Sequence, residues 1–345
     1  MRFLQPPALP TPPIAEESVA ADAPRPLLER RLVIVTGKGG TGKTTVAASL
    51  ALVGAAAGKR VLLAEVGRDE QIHRLLAPES VPVGYAGREL LPGVTAMRID
   101  PFEALTEYLV LQFGVRRLVE TVMGNQAFHQ LMAASPGWRE LITLGKIWHL
   151  EQLPDAEDRP LFDLIVVDAP STGHGVSFLE VPQVVASAVR TGPLHHHSEH
   201  VEELLEDPER TLLLPVSLAE ELPARETAEL LERVRGDLGI AVDRVVVNAI
   251  AQEPYPAALD PLDEVLRQLP DETPLGSLPA PATLAACAGH LRARHRLNRA
   301  YVRTIAELSG LPIVELPYLR RGIEDHAAIE EIAGHLLERP TAPGP

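Results

Sequence analysis

The stretch Arg31-Leu-Val-Ile-Val-Thr-Gly37-Lys38-Gly39-Gly40-Thr41-Gly42-Lys43-Thr44-Thr45 decides the fold. Five consecutive apolar or β-branched residues form a strand too uniformly apolar to show one face to water. Such a strand belongs in the middle of a parallel sheet covered on both sides. The glycines that follow allow consecutive backbone N–H groups to wrap the β- and γ-phosphates of a nucleotide, and the next helix adds the positive end of its dipole. In this pattern Lys43 places a point charge at the β/γ-phosphates and the Thr44 hydroxyl ligates Mg²⁺. Gly37, Gly39, Gly40, Thr41, Gly42, Lys43, Thr44 and Thr45 are thus the expected cradle, with ATP and Mg²⁺ as its occupants.

Working outward, the helix predicted over 43–57 is rich in Ala and Leu and stops at Gly58, where a left-handed residue closes it. A second strand follows at 60–65. Later core strands are predicted at 94–99, 161–168, 211–216, 242–248 and 312–316. This alternation gives an α/β class: a doubly wound, mostly parallel sheet with helical insertions. The insertions fall at about 101–158 and 176–208, and 283–309 reads as one long helix with a basic, solvated face. No second glycine loop occurs, so residues 30–338 form a single domain with one nucleotide site. Residues 1–29, with seven prolines, read as a flexible tail, and 339–345 as another.

Composition excludes several classes. The 47 acidic residues against 32 basic ones give a net charge of −15, which repels a phosphate backbone, so nucleic acid is not an expected partner. A single cysteine, Cys287, permits no intrachain disulfide and no cysteine metal cage. No apolar run reaches the roughly 20 residues of a membrane span, and prolines interrupt the N-terminus too early for a secretory segment. The chain is therefore expected in the cytoplasm.

The strand 164–168 ends in Asp168-Ala-Pro-Ser-Thr-Gly-His174. An acid at the carboxyl end of a core strand beside the glycine loop is placed for a water-mediated Mg²⁺ contact, and the small residues after it permit a loop that reorders when the γ-phosphate leaves.

Lys38, directly after the first glycine, resembles the second lysine of the deviant Walker motif in the MinD/ParA and arsenite-pump class. The run Asp168 to Pro182 is similar to switch II of the arsenite-pump/guided-entry ATPases. Three further stretches resemble that family: 217–227 after a core strand, Val245-Val-Val-Asn248, and the pair 296–303 and 311–319. The resemblance spans roughly 31–338. It implies an ATP-hydrolysing dimeric switch in which Lys38 reaches the partner's phosphates as an arginine finger does. It also implies that Asn248 and Pro317 lie on the adenine side, that the dimer is a homodimer or a heterodimer with a related ATPase, and that nucleotide state governs a hydrophobic or membrane-protein client.

The sequence departs from that family in three places. The usual switch I S-T-D-P-A-H is replaced by Glu65-Val-Gly-Arg-Asp-Glu-Gln71, which leaves Glu65 or Asp69 to position the attacking water, or neither. The arsenite thiolates and the C-x-x-C zinc clasp are missing, so arsenite extrusion is not this chain's expected chemistry. In 101–150, Met123, Met132, Phe102, Phe113, Phe128, Trp138 and Trp148 line either a client groove or the core of a small helical layer, the latter being favoured. Two rivals follow: a weakly or non-hydrolysing subunit of a heterodimer, and a MinD/ParA-type positioning ATPase. The second needs a terminal amphipathic helix or a DNA-binding patch, and 323–338 is too acidic for an anionic membrane. His195-His196-His197 with His200 reads as a solvent-exposed turn.

Overall fold

The computed structural model describes residues 27–338, apart from 68–70, 135–136, 189–190, 254–261 and 324. Expectations about residues 1–26 and 339–345, and about Asp69, lie outside the described residues.

The chain enters through a 3₁₀ turn, Leu27–Glu29, whose Leu27 is already buried. Strand β1 (Leu32–Thr36) runs fully buried into the glycine loop and α1 (Lys43–Ala56). Gly58 takes a φ of 79° just beyond α1, the left-handed stop expected there. Then come β2 (Val61–Val66), α2 (Ile72–Leu76), β3 (Arg88–Leu91) and β4 (Val94–Ile99). Four helices follow: α3 (Pro101–Phe113), α4 (Arg116–Met123), α5 (Gln126–Ala134) and α6 (Trp138–Gln152). Next are β5 (Leu164–Asp168), α7 (Thr172–Ala188), α8 (Pro193–Glu206), β6 (Thr211–Leu218) and α9 (Glu221–Arg233). The chain continues with β7 (Val245–Ile250), α10 (Leu262–Gln268), α11 (Pro281–Ser309), β8 (Ile313–Pro317) and α12 (His326–Leu336).

The strands form one eight-stranded sheet in the order β3-β4-β2-β5-β1-β6-β7-β8. Every pair is parallel except β3–β4. Alternation divides β1 between two cores. Val33 and Val35 face α1 and α12, with Val46, Leu50, Ile329 and Ile332. Leu32 and Ile34 face α6 to α9, with Leu144, Ile147, Phe178 and Leu230. The apolar face of α12 thus packs on the core beside α1.

The first insertion splits in two. Leu144, Ile147 and Leu150 place the second half of α6 on the sheet itself. Beside it, Ala104, Leu105 and Ile142 form a small separate cluster with Met123, Phe128, Met132 and Trp138 packed against it. Most of the aromatic and methionine side chains singled out above therefore belong to a helical layer's own core, whereas Phe113 is 65% exposed. Glu151, at the end of α6, is buried and holds Arg31 (3.1 Å) and Arg210 (2.6 Å), tying the helix to the entry of β1 and β6.

Candidate nucleotide site

The site lies where the sheet order turns, at the carboxyl ends of β1, β5 and β6. Backbone shape explains its glycines. Gly37 has a φ of 146°, and a Cβ there would stand 2.1 Å from the Val216 carbonyl oxygen of β6. Gly42 has a φ of 90°, and its Cβ would stand 2.2 Å from Asn248 Nδ2. Gly42 also caps α1 without any side-chain hydrogen bond, so the first N–H groups of that helix remain for a ligand.

Lys43 is buried at the base of the loop, where its ammonium donates to the Lys38 carbonyl (3.1 Å) and to Ser171 Oγ (3.2 Å). Burial lowers its pKa, and the neighbouring Asp168 opposes that shift. The Thr41 hydroxyl donates to the same Lys38 carbonyl at 2.9 Å, which fixes the loop's curvature. Thr45 is buried one residue beyond Thr44.

Thr44 Oγ1 donates to Asp168 Oδ2 at 2.6 Å. Asp168 Oδ1 is buried and has no hydrogen-bond partner among the described residues. Burial pushes the carboxyl up to about 6, with the Thr44 hydrogen bond and Lys43 pulling the other way. A buried carboxylate oxygen left unpaired costs on the order of 1–3 kcal/mol or more, which a cation there would offset. Hydroxyl and carboxylate are hard oxygen donors, so this pair suits Mg²⁺.

Glu65 sits on β2 directly opposite Asp168 in the parallel register. It is buried, and its Oε1 accepts the Gln71 backbone N–H at 2.7 Å, holding the start of α2. Asn248 is buried at the carboxyl end of β7. Its Nδ2 donates to the Thr41 carbonyl (2.9 Å) and its Oδ1 accepts from the Ala249 N–H (2.8 Å), so both ends of the amide grip backbone. Pro317 ends β8 and pairs in register with Ile250.

Lys38 points away from the cradle: its ammonium lies 2.7 Å from Glu226 Oε1 on α9. Two participants, Ser171 and Glu226, were not singled out by sequence reasoning. Ser171 lies inside the quoted 168–174 motif, and its contact with the cradle needs only the fold to close. Glu226 has no local signal beyond its place in 217–227.

The His195–His200 run is not the expected turn. Pro193 opens α8 behind Gly192, and a proline in the first helical turn favours helix. The histidines therefore lie within a helix, pointing to different sides of it, and among the described residues none form a three-ligand metal group.

A sequence model for a family described as anion-transporting ATPase matches residues 30–192. The chain is 36% identical over 236 residues to ATPase BagA of Mycobacterium tuberculosis, covering 68% of each chain. It is 29% identical over 268 residues to an arsenical pump-driving ATPase of Acidiphilium multivorum, and 28% identical over 244 residues to one from Escherichia coli. Those two alignments take in 71% and 62% of this chain but only 43% and 38% of the pump-driving proteins.

Proposed function

Since the chain belongs to the arsenite-pump/guided-entry ATPase family, we propose that it binds Mg-ATP on the Gly37–Thr45 loop and hydrolyses it as a nucleotide-gated dimer. The observation that carries this reading is the Thr44–Asp168 pair with its unpartnered, buried Oδ1 beside Lys43. Backbone N–H groups of residues 39–45 and Lys43 hold the phosphates. Thr44 and Asp168 would hold Mg²⁺, which would supply charge neutralisation at the phosphates. Asn248 and Pro317 flank the base side. Lys38 leaves Glu226 and reaches the phosphates of a second subunit, either a copy of this chain or a related ATPase. Glu65 or Asp69 orients the attacking water. The chemistry needs positioning and charge neutralisation alone, with no covalent intermediate.

The output is a change in α3–α8 that binds or frees a protein client with a hydrophobic segment. Support comes from the exposed Leu111, Phe113, Val115 and Leu118 at the α3–α4 corner. Among the described residues no helix is long and apolar enough to cross a membrane.

A second reading, a slow subunit in a heterodimer, is favoured by one observation: Glu65 is already engaged in holding Gln71. Turnover by the purified chain, with subunit mass followed in parallel, separates the two. Loss of turnover in Lys38→Ala and Asp168→Asn, with ATP-dependent dimerisation of the wild type, supports the first reading. Tight ATP binding without turnover overturns it in favour of the second.

A further inference from the structure

A cavity of ≈ 360 Å³ opens between α3, α6 and α8 and shares no lining residue with the glycine loop. That volume is within the range of small-molecule sites. Its floor includes Ile142 and Gly145. A Cβ at position 145 would stand 1.9 Å from His197 Nε2, nearer than any other atom of that ring, so the missing side chain is what lets the imidazole point its Nε2 end at α6. His197 sits with its centroid 5.1 Å from the Tyr108 ring and edge-to-face with Trp148 at 5.7 Å and 87°. His200 stacks on Trp148 at 5.2 Å and 3°. These rings form an aromatic wall.

At one end Glu107 Oε2 accepts from both the Tyr85 hydroxyl and Lys146 Nζ, the latter at 2.6 Å. Its Oε1 makes no hydrogen bond among the described residues. Lys146 and Glu107 cancel each other's charge. Burial also lowers the pKa of His197 and His149, which favours their neutral forms.

These features narrow the occupant. A metal ion lacks a ligand group, and an anion meets Glu107 Oε1. A cation meets Lys146. A plain alkyl chain would desolvate the Glu107–Lys146 pair without any hydrogen bond in return. We propose that this cavity binds a small, uncharged, planar aromatic molecule bearing an N–H or O–H donor, of the phenol or indole class. Its ring lies against Tyr108, Trp148 and His197, and its donor bonds Glu107 Oε1.

The test is isothermal titration of the full chain, without nucleotide, with phenol and with indole, using cyclohexanol and benzoate as comparators. Phenol and indole are expected to bind saturably at one site, with both comparators weaker. Tyr108→Leu, which keeps bulk but removes the ring, is expected to weaken indole by about 2- to 12-fold. Gly145→Ala, whose methyl displaces His197 from its place beside Tyr108 and Trp148, is expected to weaken indole binding. Should that variant fail to melt cooperatively, Tyr108→Leu and Glu107→Gln decide the matter. The proposal is overturned if neither aromatic binds, if cyclohexanol or benzoate binds as tightly, or if both of those variants leave indole affinity unchanged. Because the assay contains no ATP, none of these outcomes bears on the ATPase reading.

Discussion

Lys38 and Glu226 form an ion pair within one chain, 2.7 Å apart, joining the glycine loop to α9. Thr227, the next residue, bonds Ser217 Oγ at 3.0 Å and fixes α9 to β6, so the carboxylate is held by the scaffold. A lysine that is to act on a second subunit's phosphates must first give up this partner. Both side chains are about one-third exposed, so the pair contributes only about 0.2–1 kcal/mol. Glu226→Gln is therefore expected to tighten ATP-dependent dimerisation by about 1.4- to 5-fold, as followed by sedimentation. Weaker dimerisation would show that Glu226 serves the closed state instead.

Asp168 gives a pH signature. Its folded pKa of about 6 lies above the ordinary 3.8, so the native state holds this proton more tightly than the unfolded chain does. The associated stability is fully present below about pH 4 and is lost as pH rises through about 6. Metal requires the ionised form, so Mg²⁺-dependent nucleotide binding should strengthen across the same window. Asp168→Asn removes the buried charge. It is expected to stabilise the ligand-free protein at pH 7 by about 1–3 kcal/mol while abolishing the Mg²⁺-dependent rise in melting temperature. Calorimetry at pH 5 and pH 7, with and without Mg-ATP, measures both effects.

The core strands and the glycine loop were legible because their signals are local. A buried parallel strand announces itself by unbroken apolar runs such as 32–35, and a tight strand-to-helix loop by glycine spacing. Strand β3 was missed because Arg88 and Glu89, on an antiparallel edge, carry no apolar alternation. The His195–His197 run was misplaced because composition outweighed the helix-starting Pro193. Glu226 stayed invisible because a contact 188 residues from Lys38 depends on tertiary closure. The split of α6 between sheet and helical layer had the same cause: an amphipathic pattern shows that a face is buried, but not against what.

Glu151 is buried between two arginines that immediately precede β1 and β6. Arg31 and Arg210 are each about one-third exposed, so removing the carboxylate loses its charged hydrogen bonds but leaves both guanidinium groups in reach of water, at a cost of about 1–3 kcal/mol. The cluster lies at the entry of β1 and β6, away from the glycine loop at the strands' other ends. Glu151→Ala should therefore lower the urea midpoint strongly, yet leave ATP affinity of the folded fraction within about twofold. A large affinity loss in folded protein would show that α6 transmits strain to the site.

Gly42 and Asn248 meet so closely that no Cβ fits between them, with 2.2 Å from the ideal Cβ to Nδ2. Gly42→Ala carries two separable penalties. The left-handed φ of 90° costs about 1 kcal/mol for any L side chain, and the collision adds more. Asn248→Ala alone removes the hydrogen bond to the Thr41 carbonyl and should cost about 1–3 kcal/mol of stability. In the double variant the methyl enters the space the amide vacates, so only the backbone penalty of Gly42→Ala remains. The combined loss should fall short of the sum by about 0.5–3 kcal/mol, the coupling expected of residues in direct contact. Denaturation of the two single variants and the double variant gives this number. Strict additivity would mean that the loop accommodates the methyl by moving away from Asn248, and that the amide does not hold the cradle's shape.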